Sequence, residues 1–270
     1  MDVHGYSTVC QGAVAHSFQT EEGFLTFSKP DPGKYNETYA TQYAGLWAFG
    51  YETLHLGLDE PLYRTVSSLV AESLVRGKKD FQPVIVDCGC GVGRVTADCA
   101  ELAPTGRILG FDGSYSMLAL AKQIVCDRMP VDLALDQFGY NDISIQGRGL
   151  SNVFLARADV ENLPLKDACT DIVLSINIVD RLIHGPEIAL PECRRIIKTG
   201  GHIVFANPMN WTDSWLWSKY SNPGDLLALF RHSGFHIDTW FDRLIYREIL
   251  DKRGATEEFP TLIVLGTAID

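Results

Sequence analysis

The sequence predicts an α/β fold: a doubly wound, mostly parallel sheet in three layers. Three observations predict it. Val84-Ile85-Val86 is a short apolar run closed by Asp87. It is followed by Gly89, Gly91 and Gly93, and then by a helix start at Val95-Thr96-Ala97. A strand, a tight glycine turn and a helix N-terminus together form a cradle for a nucleotide-type ligand. Arg107-Ile108-Leu109-Gly110-Phe111-Asp112 repeats the pattern, again ending in an acid. Strand-like runs at 152–157, 171–177 and 202–208 then alternate with helical stretches, as in a parallel sheet covered on both faces.

Bulk properties set the bounds. The chain has 270 residues, 46% of them hydrophobic, enough for one large domain with a substantial core. A net charge of −11 argues against a general nucleic-acid binder and against an anionic membrane surface. The seven cysteines are scattered, with no Cys-x-x-Cys pair and no zinc-ligand spacing. They read as reduced thiols in a cytoplasmic setting. The first twenty residues lack the basic start and apolar run of a secretory signal. No apolar stretch is long enough to span a membrane.

Residues 1–30 read as an arm with a short strand or hairpin near 23–27, ended by the turn Asp31-Pro32-Gly33. From 34 to 58, Tyr35, Tyr39, Tyr43, Leu46 and Trp47 recur at helical steps of three and four. Two uses of this stripe stay open: packing on the core, or cover for a ligand. Asp59 and Pro61 open the next helix, with Leu62, Val66, Leu69, Val70 and Leu74 on its apolar face. The glycine strand follows. Its turn does not spell Gly-x-Gly-x-x-Gly, because Arg94 stands at the third glycine position, so a dinucleotide fingerprint is excluded. Asp112, at the end of the second strand, has the spacing of an acid that binds a ribose. Residues 129–150 are too long for a plain connection and receive no role. Pro186 opens a helix that runs through Pro191, where a kink or restart is expected, to the glycine stop at Gly200-Gly201. Trp211, Trp215, Trp217 and Tyr220 follow the fifth strand, either as a lid over a flat substrate or as a packed helix face. A helix at 225–233, a strand at 235–244, a turn region at 251–258 and a strand at 261–268 complete the chain.

Four segments carry a resemblance. Asp87-x-Gly89-x-Gly91-x-Gly93 resembles the first motif of class I S-adenosylmethionine (SAM) methyltransferases. Asp112-x-Ser114-x-x-Met117-Leu118 resembles the second. Ala158-Asp159-Val160-Glu161-Asn162-Leu163-Pro164 is similar to the family's Asp-Ala-x-x-Leu-Pro segment, and Ala40-x-x-Tyr43 to an element of its N-terminal helix. The resemblance implies seven strands with an antiparallel edge strand, and an N-terminal helical cap. It divides the chain into an arm and cap at 1–75 and a SAM-binding domain at 76–270, with lid insertions near 129–150 and 208–222. It implies that Tyr43, Asp87, Gly89, Cys90, Gly91 and Arg94 bind cofactor, together with Asp112, Gly113, Met117, Asp159, Val160 and Asn177. For Met117 core packing is the competing account, and for Asp159 a turn or cap role.

Trp47, Arg181, Trp211 and Trp217 are then the candidate substrate contacts, and His184 and His55 the candidate bases. Two departures stand out. The family's acid–histidine pair after the fourth strand is Asp180-Arg181 here, and Thr199 stands where a proline is common. The expected activity is methyl transfer to an oxygen or nitrogen, less often a carbon, of a small apolar or aromatic acceptor of the natural-product kind. A SAM-fold protein that binds without methylating, such as a partner subunit, is the alternative. A nicotinamide oxidoreductase fits neither Arg94 nor the Asp159 segment. No metal is implied, and the oligomeric state stays open.

Overall fold

Val84, Ile85 and Val86 are apolar on both sides of an extended chain, so their strand needs cover on both faces. The computed structural model describes residues 19–21, 24–27, 37–50, 61–75, 82–182 and 184–270, and it shows that cover. In chain order, the hairpin β1 (Gln19–Glu21) and β2 (Phe24–Thr26) precedes α1 (Glu37–Gln42), a π-helical turn (Tyr43–Ala48) and α2 (Pro61–Val75). Next come β3 (Val84–Cys88), α3 (Arg94–Leu102), β4 (Arg107–Asp112) and α4 (Tyr115–Ala121). β5 (Pro130–Leu133) and β6 (Ile143–Gln146) form a separate two-stranded sheet. The chain closes with β7 (Val153–Arg157), β8 (Thr170–Ile176), α5 (Pro186–Ile196), β9 (Ile197–Asn207), α6 (Ser214–Tyr220), α7 (Pro223–His232), β10 (Phe235–Ile249) and β11 (Thr256–Ala268).

The main sheet runs β1-β2-β7-β4-β3-β8-β9-β11-β10. From β2 to β9 all neighbours are parallel, and β11 is antiparallel to both β9 and β10. Strand order reverses between β3 and β8, the crevice where open α/β sheets bind ligands. The described sheet has nine strands where the sequence predicted seven, because the N-terminal hairpin joins it. Leu25 and Thr26 pair with Ala156 and Arg157, covering the edge β7 would otherwise expose.

One face of the sheet is packed by α2, α3 and α4, with Val66, Val95 and Leu118 against Ile85, Val204 and Ile263. The other is packed by α5, α6 and α7, with Leu190, Leu216 and Phe230 against Val86, Phe205 and Val264. Neighbouring strand residues therefore face opposite layers, as the pleat requires.

Three local expectations change. α5 ends at Ile196, not at the glycines, because Ile197 already pairs with Thr170; the ladder then skips to His202 opposite Ile172. Pro191 sits inside α5 without dividing it. The stretch 129–150 is not a bare loop, since Val131 and Leu133 turn one side of β5 inward and pair with Ile145 and Ile143. Glu37–Ala48 confirms the helical reading of the aromatic stripe in its described part. Tyr35, Asp59 and the turn at 31–33 lie outside the described residues.

Candidate active site

The turn after β3 is pinned to the neighbouring strand. Gly89 N–H and Cys90 N–H both donate to Phe111 O, at 2.7 and 2.9 Å, and Gly93 N–H closes the turn onto Cys90 O at 2.9 Å. Beneath it Asp87 is only 2% exposed and accepts from Thr96 Oγ1 at 2.6 Å, tying β3 to α3. Burial pushes its carboxyl up to about 6; nearby Asp112 adds to the rise and the Thr96 bond opposes it. Gly91 has φ +53°, which suits glycine. A Cβ there would stand 3.8 Å from Tyr43 Cε1, its nearest neighbour, so the backbone opens onto the space beneath that ring. Gly89 is different: a Cβ there would overlap Ile178, and the protein itself fills that space.

Polar groups gather at the strand tips. Asp112 Oδ2 accepts from Gly91 N–H at 2.9 Å and its Oδ1 from Ser114 N–H at 2.7 Å. Burial raises its carboxyl above the ordinary range, against those two bonds and Arg157. Asp159, exposed after β7, accepts from Glu161 N–H at 2.9 Å in a local turn, and Val160 beside it is buried. Asn177 follows β8 with φ +54°. Its side-chain Oδ1 is buried and has no hydrogen-bond partner among the described residues. Asp180, 1% exposed, accepts from the Asn207 amide at 3.1 Å and stands 3.8 Å from Arg181 Nε.

A roof covers these tips. β11 pairs with β9 only from Leu262, opposite Asn207, onward. Residues 256–261 pair with β10 alone, so the two strands run past the tip of β9 as a free ribbon of about 20 Å at the usual rise per residue. The π-helical turn meets this ribbon: Trp47 Nε1 donates to Ile249 O at 2.8 Å, and Trp47 and Tyr43 lie edge to face at 5.6 Å. The segment between β5 and β6 meets it too. Lys252 N–H donates to Phe138 O at 3.1 Å, Tyr140 Oη donates to Asp251 O at 3.2 Å, and Leu135 packs on Leu46 and Trp47.

Residues 86–205 match the family model described as a methyltransferase domain. This segment is a methyltransferase domain. Over 128 residues the chain is 30% identical to malonyl-acyl-carrier-protein O-methyltransferase of Nitrosospira multiformis, across 47% of this chain and 39% of that protein. Over 121 residues it is 31% identical to demethylmenaquinone methyltransferase of Lactiplantibacillus plantarum, across 44% of this chain and 43% of that one. The chain thus spans under half the length of these two relatives. A solved structure of the 4+2 cyclase SpnF shares the fold at TM-score 0.51 and 18% identity, covering 76% of this chain and 81% of that one.

SAM is the cofactor of such a domain, and the methyltransferase crevice fits it on two counts. The backbone at Gly91 is open beneath Tyr43, and the orphaned Asn177 oxygen awaits a donor. Each Asp112 oxygen takes one backbone N–H and keeps a lone pair. A Cβ on Gly113 would meet nothing within 4 Å. Other expected contacts are engaged by the protein. The Arg94 guanidinium lies 5.5 Å from both the Phe49 and Tyr63 rings and pairs with Asp98, stapling α3 to the cap. Met117 and Cys90 are buried in the core layer, and burial raises the Cys90 thiol.

The expected acceptor residues divide. Trp47 and Arg181 belong to the roof and the β8 tip. Trp211 does not line the crevice: it is 3% exposed, packs in the opposite layer, and donates from Nε1 to Tyr220 O at 3.0 Å. Trp217 is exposed and donates to Trp211 O at 2.8 Å. Of the aromatics after β9, Trp211 and Tyr220 are packed into the α5–α7 layer, while Trp215 and Trp217 stay exposed. His184 is exposed, with Nδ1 3.0 Å from Glu161 Oε2, and that bond, with nearby Asp159, raises its basicity. His55 lies outside the described residues.

A groove of about 1050 Å³ is an open surface trough lined by Glu187, Arg194, Lys219 and His232 on the α5–α7 layer, away from the crevice. Tyr246 and Glu248, on the ribbon, were not singled out in the sequence. Their signal, an acid two residues beyond an inward Leu244 and Tyr246, emerges only when the strand is carried to Ile249. Among the described residues no group of three or more His, Cys, Asp and Glu side chains is placed to hold a metal ion, and no helix is long and apolar enough to cross a membrane.

Proposed function

We propose that the chain transfers the methyl group of SAM to an oxygen or nitrogen of a small, apolar or aromatic acceptor. The observation that carries this reading is the roof: an aromatic cap and a strand ribbon close over the strand tips, with Tyr43 facing the open backbone of Gly91. When bound, SAM supplies an electrophilic methyl group on a positively charged sulfur. Asp112 accepts from the ribose hydroxyls with its remaining lone pairs. Asn177 Oδ1 accepts from the methionine end, and Tyr43 presents its ring to the cation. Asp159 and Val160 border the adenine. Burial and the nearby Tyr63, Tyr39 and Glu248 hold the Tyr43 hydroxyl protonated. Trp47 and the ribbon exclude water and hold the acceptor in line, the main source of rate in a displacement of this kind. We keep the division at residue 75, with arm and cap on one side and cofactor domain on the other.

Calorimetry with SAM, S-adenosylhomocysteine and NAD tests the cofactor half. Binding of S-adenosylhomocysteine without NAD is expected; the reverse ends the reading. Labelled methyl transfer into a metabolite extract tests the acceptor half. A non-catalytic protein would bind and transfer nothing, and the shared fold of a cyclase keeps that outcome in view.

A further inference from the structure

We propose that Glu248 is the general base of the transfer, taking the proton of a hydroxyl acceptor as its oxygen receives the methyl group. This rests on the reading that the roofed crevice holds SAM. Glu248 lies on the ribbon, beyond the sheet, where β10 and β11 pair only with each other. Strand alternation puts it on the same face as Leu244 and Tyr246, and both pack in the layer of the cap. The next residue along, Ile249, is the one whose carbonyl receives Trp47. Glu248 therefore stands opposite the aromatic pair that looks onto Gly91.

Its neighbours come from every element that meets it. Tyr246 on its own strand lies beside it and favours its charged form. Arg181 and Asp180 face it from the β8 tip, Glu257 from β11, and Tyr43 from the π-helical turn. Burial is the main cause that lifts its carboxyl to about 7; Glu257 and Asp180 add to the rise, while Tyr246 and Arg181 oppose it. A carboxylate so placed is a stronger base than an ordinary one, yet it is largely ionised just above neutral pH. The balance is simple. The acceptor oxygen bonds to the methyl carbon, the carbon–sulfur bond breaks with its electron pair going to sulfur, and the hydroxyl proton passes to a Glu248 carboxylate oxygen. His184, by contrast, is exposed and paired with Glu161.

The test uses the full chain, its Glu248→Gln and Glu248→Asp variants, labelled SAM, and a panel of phenol, 4-nitrophenol, aniline and a soluble cell extract. S-adenosylhomocysteine binding is measured in parallel. The expected result is methyl on oxygen, with kcat/KM rising through an inflection near pH 7. Glu248→Gln should lose about 100-fold or more on phenol and under about tenfold on 4-nitrophenol, which ionises unaided near neutral pH. It should also lose the inflection, Glu248→Asp should recover part of the rate, and S-adenosylhomocysteine affinity should hold. Equal losses on the two phenols, an unchanged pH profile in Glu248→Gln, or transfer only to amines overturns the proposal. So does transfer to no hydroxyl compound while S-adenosylhomocysteine still binds. If the wild-type chain does not bind S-adenosylhomocysteine, the cofactor reading falls with it.

Discussion

Asp112 does two jobs with one carboxylate, since it fixes the Gly91 turn through backbone bonds and keeps lone pairs turned outward. Asp112→Ala should weaken S-adenosylhomocysteine binding by about 1.5–3 kcal/mol, the range for charge-assisted hydrogen bonds, measured by calorimetry. Unchanged affinity would take Asp112 out of the site. Asp87 behaves differently because it is enclosed. Its folded value near 6 exceeds the ordinary 3.8, so the folded state holds the proton more tightly than the unfolded chain. The associated stability is present below pH 4 and is lost as pH rises to 6. Asp87→Asn keeps an acceptor for Thr96 and removes that loss. Thermal melts without ligand should show the variant more stable at pH 7.5 by up to about 3 kcal/mol, with the gap closing near pH 4. A gap independent of pH would contradict this. Both acids were visible in the sequence as strand endings, but their different duties were not. Spacing shows that an acid closes a strand; only packing shows that Thr96 caps one, while two backbone N–H groups hold the other.

At the scale of elements, the cofactor side was legible and the acceptor side was not. The run from Val84 to Thr96 is local, so its strand, turn and helix follow from neighbouring residues. The roof joins Tyr43–Ala48, the segment between β5 and β6, and the ends of β10 and β11. No short window contains it. Its clues were present but pointed elsewhere. Val131 and Leu133 alternate like a strand within a stretch that looked structureless. Thr256, Glu257 and Glu258 look like a turn because all three are polar, and they are exposed beyond the sheet. Trp211 has the composition of a lid and the burial of a core residue, and sequence alone does not separate the two. The hinge of this assembly is one bond, Trp47 Nε1 to Ile249 O. Trp47→Phe should cost about 1–3 kcal/mol by leaving that buried carbonyl unpaired. It should also raise the acceptor KM while S-adenosylhomocysteine affinity stays within about twofold, whereas an equal rise in both constants would place Trp47 in cofactor binding instead.

Across the whole molecule, the two halves of the roof are attached to the body in different ways. The ribbon continues β10 and β11, and β11 is laddered to β9 through Leu262 to Thr267, so it projects like a cantilever from the sheet. The cap's π-helical turn carries no strand ladder and is held by side-chain packing of Ala44, Leu46 and Ala48, ring contacts and one indole bond. Any door that admits an acceptor and lets a methylated product leave must therefore swing on the cap, with the beam opposite it standing still. Hydrogen exchange should find the amides of 43–48 trading with solvent faster than those of 244–249, and slowing when S-adenosylhomocysteine is added. If the beam exchanges first, the entrance is on the other side.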